Sequence, residues 1–340
     1  MKEEIQILKF MEISVVPGRT INAELVKVPI QMLKLDPNNV RFRHLQNLQS
    51  EQEMEEAIIK ERDTTNLLNE IKYSAGLQNP IVIDSNFIVR EGERRLVCCR
   101  DIINDPKIEE STKSKFRMLP CIKLPENTNP KDIGIYLARV HVGGNKPWRA
   151  FNQAAHIFDL HEKYGTTLEE IRKSLSMGKI RVKNTLDSYK LLSEYADKFS
   201  SLDKDWVEKY SYFLEFFKKR SKIKYWIDSR ENQEKFMEWV KEGKFLRGED
   251  VRDLPYIVGN KEALKIFESQ NGNHSKTMDF LSKTNPILGN KLYKMLDKIT
   301  VSLIENRQKE IFAASRSRAK LRMLKELKEV LDHIIENIES

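Results

Sequence analysis

Two apolar triplets and a glycine fix how residues 81 to 104 must run. Ile81-Val82-Ile83 and Phe87-Ile88-Val89 flank the polar turn Asp84-Ser85-Asn86, and Gly92 opens a helical stretch through Arg100 and Ile103. Such spacing reads as a short hairpin feeding a helix N-terminus. The first turn of a helix exposes unpaired N–H groups at the positive end of the helix dipole. Arg94 and Arg95 add forked donors there, so Gly92-Glu93-Arg94-Arg95 has the makings of a phosphate-binding turn. A plainer reading stands beside it, in which Gly92 permits a tight turn and Glu93, Arg94 and Arg95 pair with their neighbours.

The residues before the hairpin supply the rest of a small mixed domain. Val26, Val28 and Ile30 alternate with polar residues as a strand does, and Asp36-Pro37-Asn38-Asn39 has turn chemistry. From Glu51 to Ser74 the apolar positions recur at helical spacing, and Gly76 ends that helix before Pro80 starts the next strand. Cys98, Cys99 and Cys121 are an odd number without C-x-x-C spacing, which points to small buried side chains in a reduced, cytoplasmic setting. No N-terminal apolar stretch resembles a signal peptide, and no apolar run is long enough to insert in a membrane.

After the break Gly143-Gly144-Asn145-Lys146-Pro147 the pattern becomes helical throughout. Trp148, Phe151, Ala155 and Phe158 fall on one amphipathic face, Tyr164-Gly165 stops it, and Thr167 with Glu170 forms a capping box for the next helix. Ser176-Met177-Gly178 is a short turn. Beyond it Val182, Leu186 and Tyr189 share a face, while Lys179, Arg181, Lys183 and Asn184 point elsewhere. Between Arg172 and Lys190 six basic residues meet one acid. This is the pattern of a DNA-binding helix-turn-helix, with long cations for phosphates and Asn or Arg for base edges. Two ordinary packed helices would carry a similar pattern. The formal charge of +8 leaves room for a polyanionic partner.

Val28-Pro29, Asp36-Pro37-Asn38-Asn39, Gly76-Leu77-Gln78-Asn79-Pro80 and Gly92-Glu93-Arg94-Arg95-Leu96 resemble, in order and spacing, the amino-terminal domain of the ParB family of partition proteins. The resemblance covers roughly residues 22 to 195. It implies a ParB/sulfiredoxin-like fold in which Gly92, Glu93, Arg94 and Arg95 contact the phosphates of CTP, or of ATP, with Mg²⁺, and Gly76 and Pro80 lie beside the pocket. The family's helical E-N-x-Q-R motif would fall at Ala138-Arg139-Val140-His141-Val142, where none of its four defining residues occurs, so metal-assisted hydrolysis is not carried over. Arg139 and His141 are kept as replacement ligands. Lys179 to Leu186 resembles the family's centromere-reading helix, with Val182, Asn184, Thr185 and Leu186 at matching places. Gly178 replaces a serine, so the target sequence does not transfer.

Trp206 to Val240 is rich in rings that read as core, interrupted by Lys218, Lys219 and Arg220, which read either as DNA-backbone contacts or as a solvated face. Leu324, Leu327, Leu331, Ile334 and Ile338 step along a helix by three and four residues, a stripe that wants either a second copy or its own domain.

The expected fold class is α+β, with a nucleotide-fold domain at 1–140, a helix-turn-helix domain at 141–205 that uses Thr167 and Lys179 to Thr185, a helical accessory domain at 206–290 and a long terminal helix at 291–340. The expected function is site-specific binding of palindromic double-stranded DNA by a homodimer, in plasmid or chromosome partition, with nucleotide-dependent clamping and a ParA-type ATPase as partner. It implies a cytoplasmic, nucleoid- or plasmid-associated protein. Two other classes remain open. One is an NTP-dependent enzyme or nuclease using Glu93 as general base, and the other is a structural adaptor without catalysis.

Overall fold

The computed structural model describes residues 4–16, 18–45, 50–61, 63–142, 148–284, 288, 290–305, 311 and 313–339. The expected break at 143–147 lies outside the described residues. The chain divides into two compact units, Met1–Leu175 and Ser176–Ser340. The first is mixed α/β and the second helical, so the fold is α+β.

In the first unit, β1 (Gln6–Val16) runs antiparallel to β2 (Arg19–Pro29). Gly18 between them is left-handed at φ +82°, a conformation glycine adopts freely. Then follow α1 (Glu51–Ile59), α2 (Thr64–Lys72), β3 (Ile81–Ile83), β4 (Val89–Glu91), α3 (Glu93–Asn104), α4 (Glu110–Lys113), β5 (Met118–Lys123), α5 (Pro130–Val142), α6 (Ala150–Glu162) and α7 (Leu168–Ser174). The sheet order is β1-β2-β5-β3-β4, with only β3 and β5 parallel.

Successive strand residues face opposite sides, and both sides of this sheet are covered. Ile81 and Ile83 join Val26, Val28, Leu96 and Cys99 in the main core, beneath α1 to α3. Val82 points the other way, to Ala23, Ile13 and Leu124, where Ile133 and Tyr136 of α5 close the layer. A three-residue strand without a polar residue is therefore what this position requires. Helix α6 packs on α5, where Gly134 admits Leu160 and its carbonyl meets the buried His156 ring nitrogen at 2.8 Å. Position 140, the expected domain border, lies inside α5.

Three local expectations are corrected. Strand β1, the partner of β2, was not foreseen. The helical pattern from Glu51 to Ser74 is two helices: the chain leaves α1 at Lys60, and the Thr64 hydroxyl donates to the Ile58 carbonyl at 2.8 Å as α2 begins. Strand β4 starts at Val89 rather than Phe87, because Asp84 Oδ1 accepts the N–H groups of Asn86 and Ile88 at 2.9 and 3.0 Å and holds a longer loop. Phe87 in that loop has φ +63°.

The second unit consists of α8 (Lys179–Phe199), α9 (Tyr210–Lys218), α10 (Arg220–Ile227), α11 (Arg230–Lys241), α12 (Leu254–Val258), α13 (Lys261–Glu268), α14 (His274–Thr284), α15 (Lys291–Glu305) and α16 (Arg318–Glu339). Its core is aromatic, as the ring-rich sequence implied. Phe216 stacks on Phe236 at 4.2 Å, and Phe213 meets Tyr195 and Phe236 edge-on at 5.5 Å. Buried Lys244 directs its ammonium to the carbonyls of Phe267 and Ser269, both at 3.0 Å, so the end of α13 is satisfied by a side chain. Replacing fully buried Phe236 by Ala should cost about 3–5 kcal/mol of stability, measured by urea unfolding, because the rings around it cannot close the void.

Candidate functional site

The turn from β4 into α3 is built by the loop that follows β2. Asn39 uses its side-chain oxygen to accept the Arg41 N–H at 2.9 Å, which fixes its amide nitrogen to donate to the carboxyl of Glu93. Asp36, three residues earlier, accepts from Arg90 Nη1 at 2.7 Å, and the same guanidinium reaches Asp84 at 2.7 Å. Two separate loops are thus tied to Arg90 and Glu93, the residues that flank Gly92. Gly92 sits at φ +102°, and a Cβ there would lie 2.9 Å from the Arg95 guanidinium. Glycine is favoured by that backbone conformation, and a side chain there would displace the Arg95 guanidinium.

The four residues of the turn have different situations. Glu93 is only 4% exposed, and burial pushes its carboxyl up to about 7, against the favourable pull of Arg41. Arg95 is engaged within the unit: it donates to the carbonyls of Asn79 and Pro80 at 2.7 and 2.9 Å and pairs with Glu91. It therefore braces the loop from Gly76 to Pro80 against the turn. Gly76, at φ +130°, lets that loop double back after α2. Arg94 is half-exposed and makes no hydrogen bond or ion pair among the described residues.

Arg139 reaches the Ser14 carbonyl of β1 at 3.5 Å, and His141 stacks on Trp148 with ring centroids 4.0 Å apart. No group of three or more His, Cys, Asp or Glu residues among those described is placed to hold a metal ion. The carboxyl of Glu93 is buried and bonded to Asn39, and a pKa raised to about 7 lies in the range of a general acid or base near neutral pH. The three cysteines are buried, with thiols pushed up to about 12 by burial.

The basic residues of the second unit also separate into two groups. Lys179, Arg181 and Lys183, on the first five residues of α8, are exposed and make no ion pair among the described residues. Asn184 and Thr185 are buried. The Asn184 side chain accepts from Arg220 at 3.4 Å, and Thr185 hydrogen-bonds Tyr210. Arg220 in turn pairs with Asp187 and Asp228, each at 2.7 Å, and lies over the Phe217 ring. Lys218 pairs with Glu215 at 3.0 Å and Lys219 is buried. Within the cluster Lys218, Lys219, Arg220, the side chains thus have partners inside the unit or are buried. Thr167, in the first unit, has its hydroxyl occupied by the capping box with Glu170.

Comparison with known proteins gives no match to a family and none to a curated protein. Solved structures give distant likenesses. The truncated chromosome-partitioning protein ParB of Caulobacter crescentus, complexed to the centromeric parS site, is 13% identical over 68% of this chain and 98% of its own, with a TM-score of 0.34. A structure of that protein with CTP-γ-S gives 15% identity, 54% and 91% coverage and a TM-score of 0.22. A Pnob8-like ParB-N domain gives 11%, 88% and 99%, and 0.32. No helix among the described residues is long and apolar enough to cross a membrane.

A carboxyl whose folded-state pKa stands above its ordinary value of 4.5 stabilises the fold at low pH and loses that contribution as pH rises to about 7. Glu93→Gln keeps a group of the same shape and removes the ionisation. In urea unfolding the two proteins should match near pH 4.5, and the variant should become the more stable by about 3 kcal/mol at pH 8. Parallel pH profiles would mean that the carboxyl ionises in the fold at no cost.

Proposed function

We propose that this chain binds double-stranded DNA through the N-terminal half of α8. The observation that carries the reading is an electrostatic mismatch. Helices α1 and α7 begin with capping boxes and glutamates in the first turn, which suit the positive end of a helix. Helix α8 begins at Gly178 with no side-chain cap and no acid in its first turn, and it presents Lys179, Arg181 and Lys183 to solvent. Each cation there opposes the dipole by roughly 0.3–1 kcal/mol. Phosphates would relieve all of it at once, and the N-terminal end of a helix is the part that enters a major groove.

In this reading Lys179 and Lys183 take phosphates and Arg181 is the base-edge donor, since its fork matches guanine. Asn184 and Thr185 set the rotation of the helix from the buried side. A palindromic site read by a homodimer, a partition role with a ParA-type ATPase, and a nucleoid- or plasmid-associated location follow from the sequence resemblance and complete the proposal. The Gly92 turn supports a second, narrower element: Arg94 and the helix N-terminus suit a phosphate of CTP or ATP, bound without hydrolysis because Glu93 is withdrawn from solvent. The chain then acts as a binder rather than an enzyme.

Binding to fragments selected from genomic DNA tests the main reading. Replacing Lys179, Arg181 and Lys183 together by Ala should weaken binding at least 100-fold near 0.15 M salt and lower the salt slope by roughly 2–3. Unchanged affinity and slope would remove α8 from the interface. Arg94→Ala should leave DNA affinity intact while abolishing any shift that CTP or ATP produces.

A further inference from the structure

Along one line of α8 every residue but the first is covered. At about 100° per residue, Ile180, Asn184, Asp187 and Leu191 fall within a stripe roughly 60° wide. Asn184 and Leu191 are buried and Asp187 is half-buried. Arg220, lying over the Phe217 ring, closes the middle of the stripe. Its guanidinium meets the Asn184 side-chain oxygen at 3.4 Å and the Asp187 carboxylate at 2.7 Å. Ile180, one turn nearer the start of the helix, is 56% exposed. The helix therefore projects one turn past the packing that covers the rest of that line, and the side chain carried out on the projection is a branched aliphatic. Isoleucine contributes less to a helix than lysine or arginine, so helix formation does not account for its place there.

The neighbours of Ile180 restrict what covers it. Lys183 and Lys179 stand about 60° and 100° to one side of it around the helix, and Arg181 stands about 100° to the other. All three are exposed. A wholly apolar partner would take water from these cations and return no charge. A partner with phosphates at its flanks and an apolar group between them satisfies both chemistries. The major groove of DNA has that composition, with phosphates along its borders and the 5-methyl of thymine as the apolar group on its base edges.

We infer that Ile180 reads thymine, its side chain packing on the 5-methyl group of one T·A pair while Lys179 and Lys183 hold the flanking phosphates. The inference rests on the reading of α8 as the DNA-binding helix and adds a second base to it, thymine for Ile180 beside guanine for the Arg181 fork. Uracil keeps every hydrogen-bonding group of thymine and lacks only the methyl, so it isolates this contact.

The test is a uracil scan of the selected DNA with the full chain. Each thymine in turn is replaced by deoxyuridine, and affinity is read by fluorescence anisotropy near 0.15 M salt. At the thymine that Ile180 meets, the uracil form is expected to bind about fourfold more weakly, the worth of one buried methyl. Ile180→Ala is expected to bind the thymine form about fourfold more weakly as well, with the wild-type salt slope because no charge is lost. The variant is expected to be indifferent to uracil at that position, so that the two changes together cost no more than either alone. Ile180→Val, which keeps the branched methyls, is expected to retain the sensitivity. A wild type indifferent to uracil at every position of DNA that it selects, or an Ile180→Ala protein that loses a further fourfold on uracil, overturns the inference and leaves the reading of α8 standing. A chain that selects no DNA overturns that reading and the inference with it.

Discussion

A carboxyl group taken out of water must be matched by donors or hold its proton, and Glu93 is the place in this chain where that constraint bears on most of the surrounding structure. It stands at the first position of α3, where a helix welcomes negative charge, yet it is enclosed and receives the Asn39 amide. That bond exists only because the Asp36 to Asn39 turn is itself held, by Asp36 on Arg90 and by Asn39 on the Arg41 backbone. The β3–β4 loop enters through Asp84 on the same arginine. Residues far apart in sequence are thereby locked to the two residues on either side of Gly92. The geometry of the turn is a consequence of this network, and Arg94 is the member of the turn that the network leaves outward.

The same division between structural and available groups recurs in the helical unit. Of the cations expected to meet DNA, those that lie on the buried side of their helices have found acids or rings. Arg220 is held by two aspartates, and Lys218 by Glu215, whose own carboxyl is kept below the usual range by Arg252 and Lys218 despite its burial. A guanidinium in a bidentate or stacked arrangement contributes to packing and specificity of the fold. Lys179, Arg181 and Lys183 have no such arrangement, and they project from a helix end that repels them. Charge density in the sequence does not distinguish these two populations; the partners do.

Local patterns were legible where both periodicity and punctuation agreed. The α3 start at Gly92, the Thr167 capping box, the turn before α8, the aromatic core and the burial of the cysteines follow from residue types at short range. The missed hairpin strand had a signal, since Val15-Val16-Pro17-Gly18 is turn chemistry after an apolar run. The single helix read from Glu51 to Ser74 kept its period across a break made by Thr64 bonding back to Ile58, which periodicity does not register. Long-range partners were not legible: Arg95 meets carbonyls some fifteen residues upstream, and Asn184 meets Arg220. Spacing placed these side chains correctly on their elements and was silent on what would occupy them.

The unsatisfied features of the chain share a logic. A buried carboxyl with a raised pKa, a basic helix start without a cap, and a helix, α16, whose charges run against its dipole each lower stability in the isolated chain, and the first is answered internally by Asn39. The basic start of α8 meets no ion pair among the described residues, while within α16 Arg322 pairs with Glu326 and Lys328 with Asp332. Sequences otherwise consistent at every level tend to violate local rules where something outside the chain completes them. In the reading proposed for α8, a polyanion laid along the helix end supplies the missing charge.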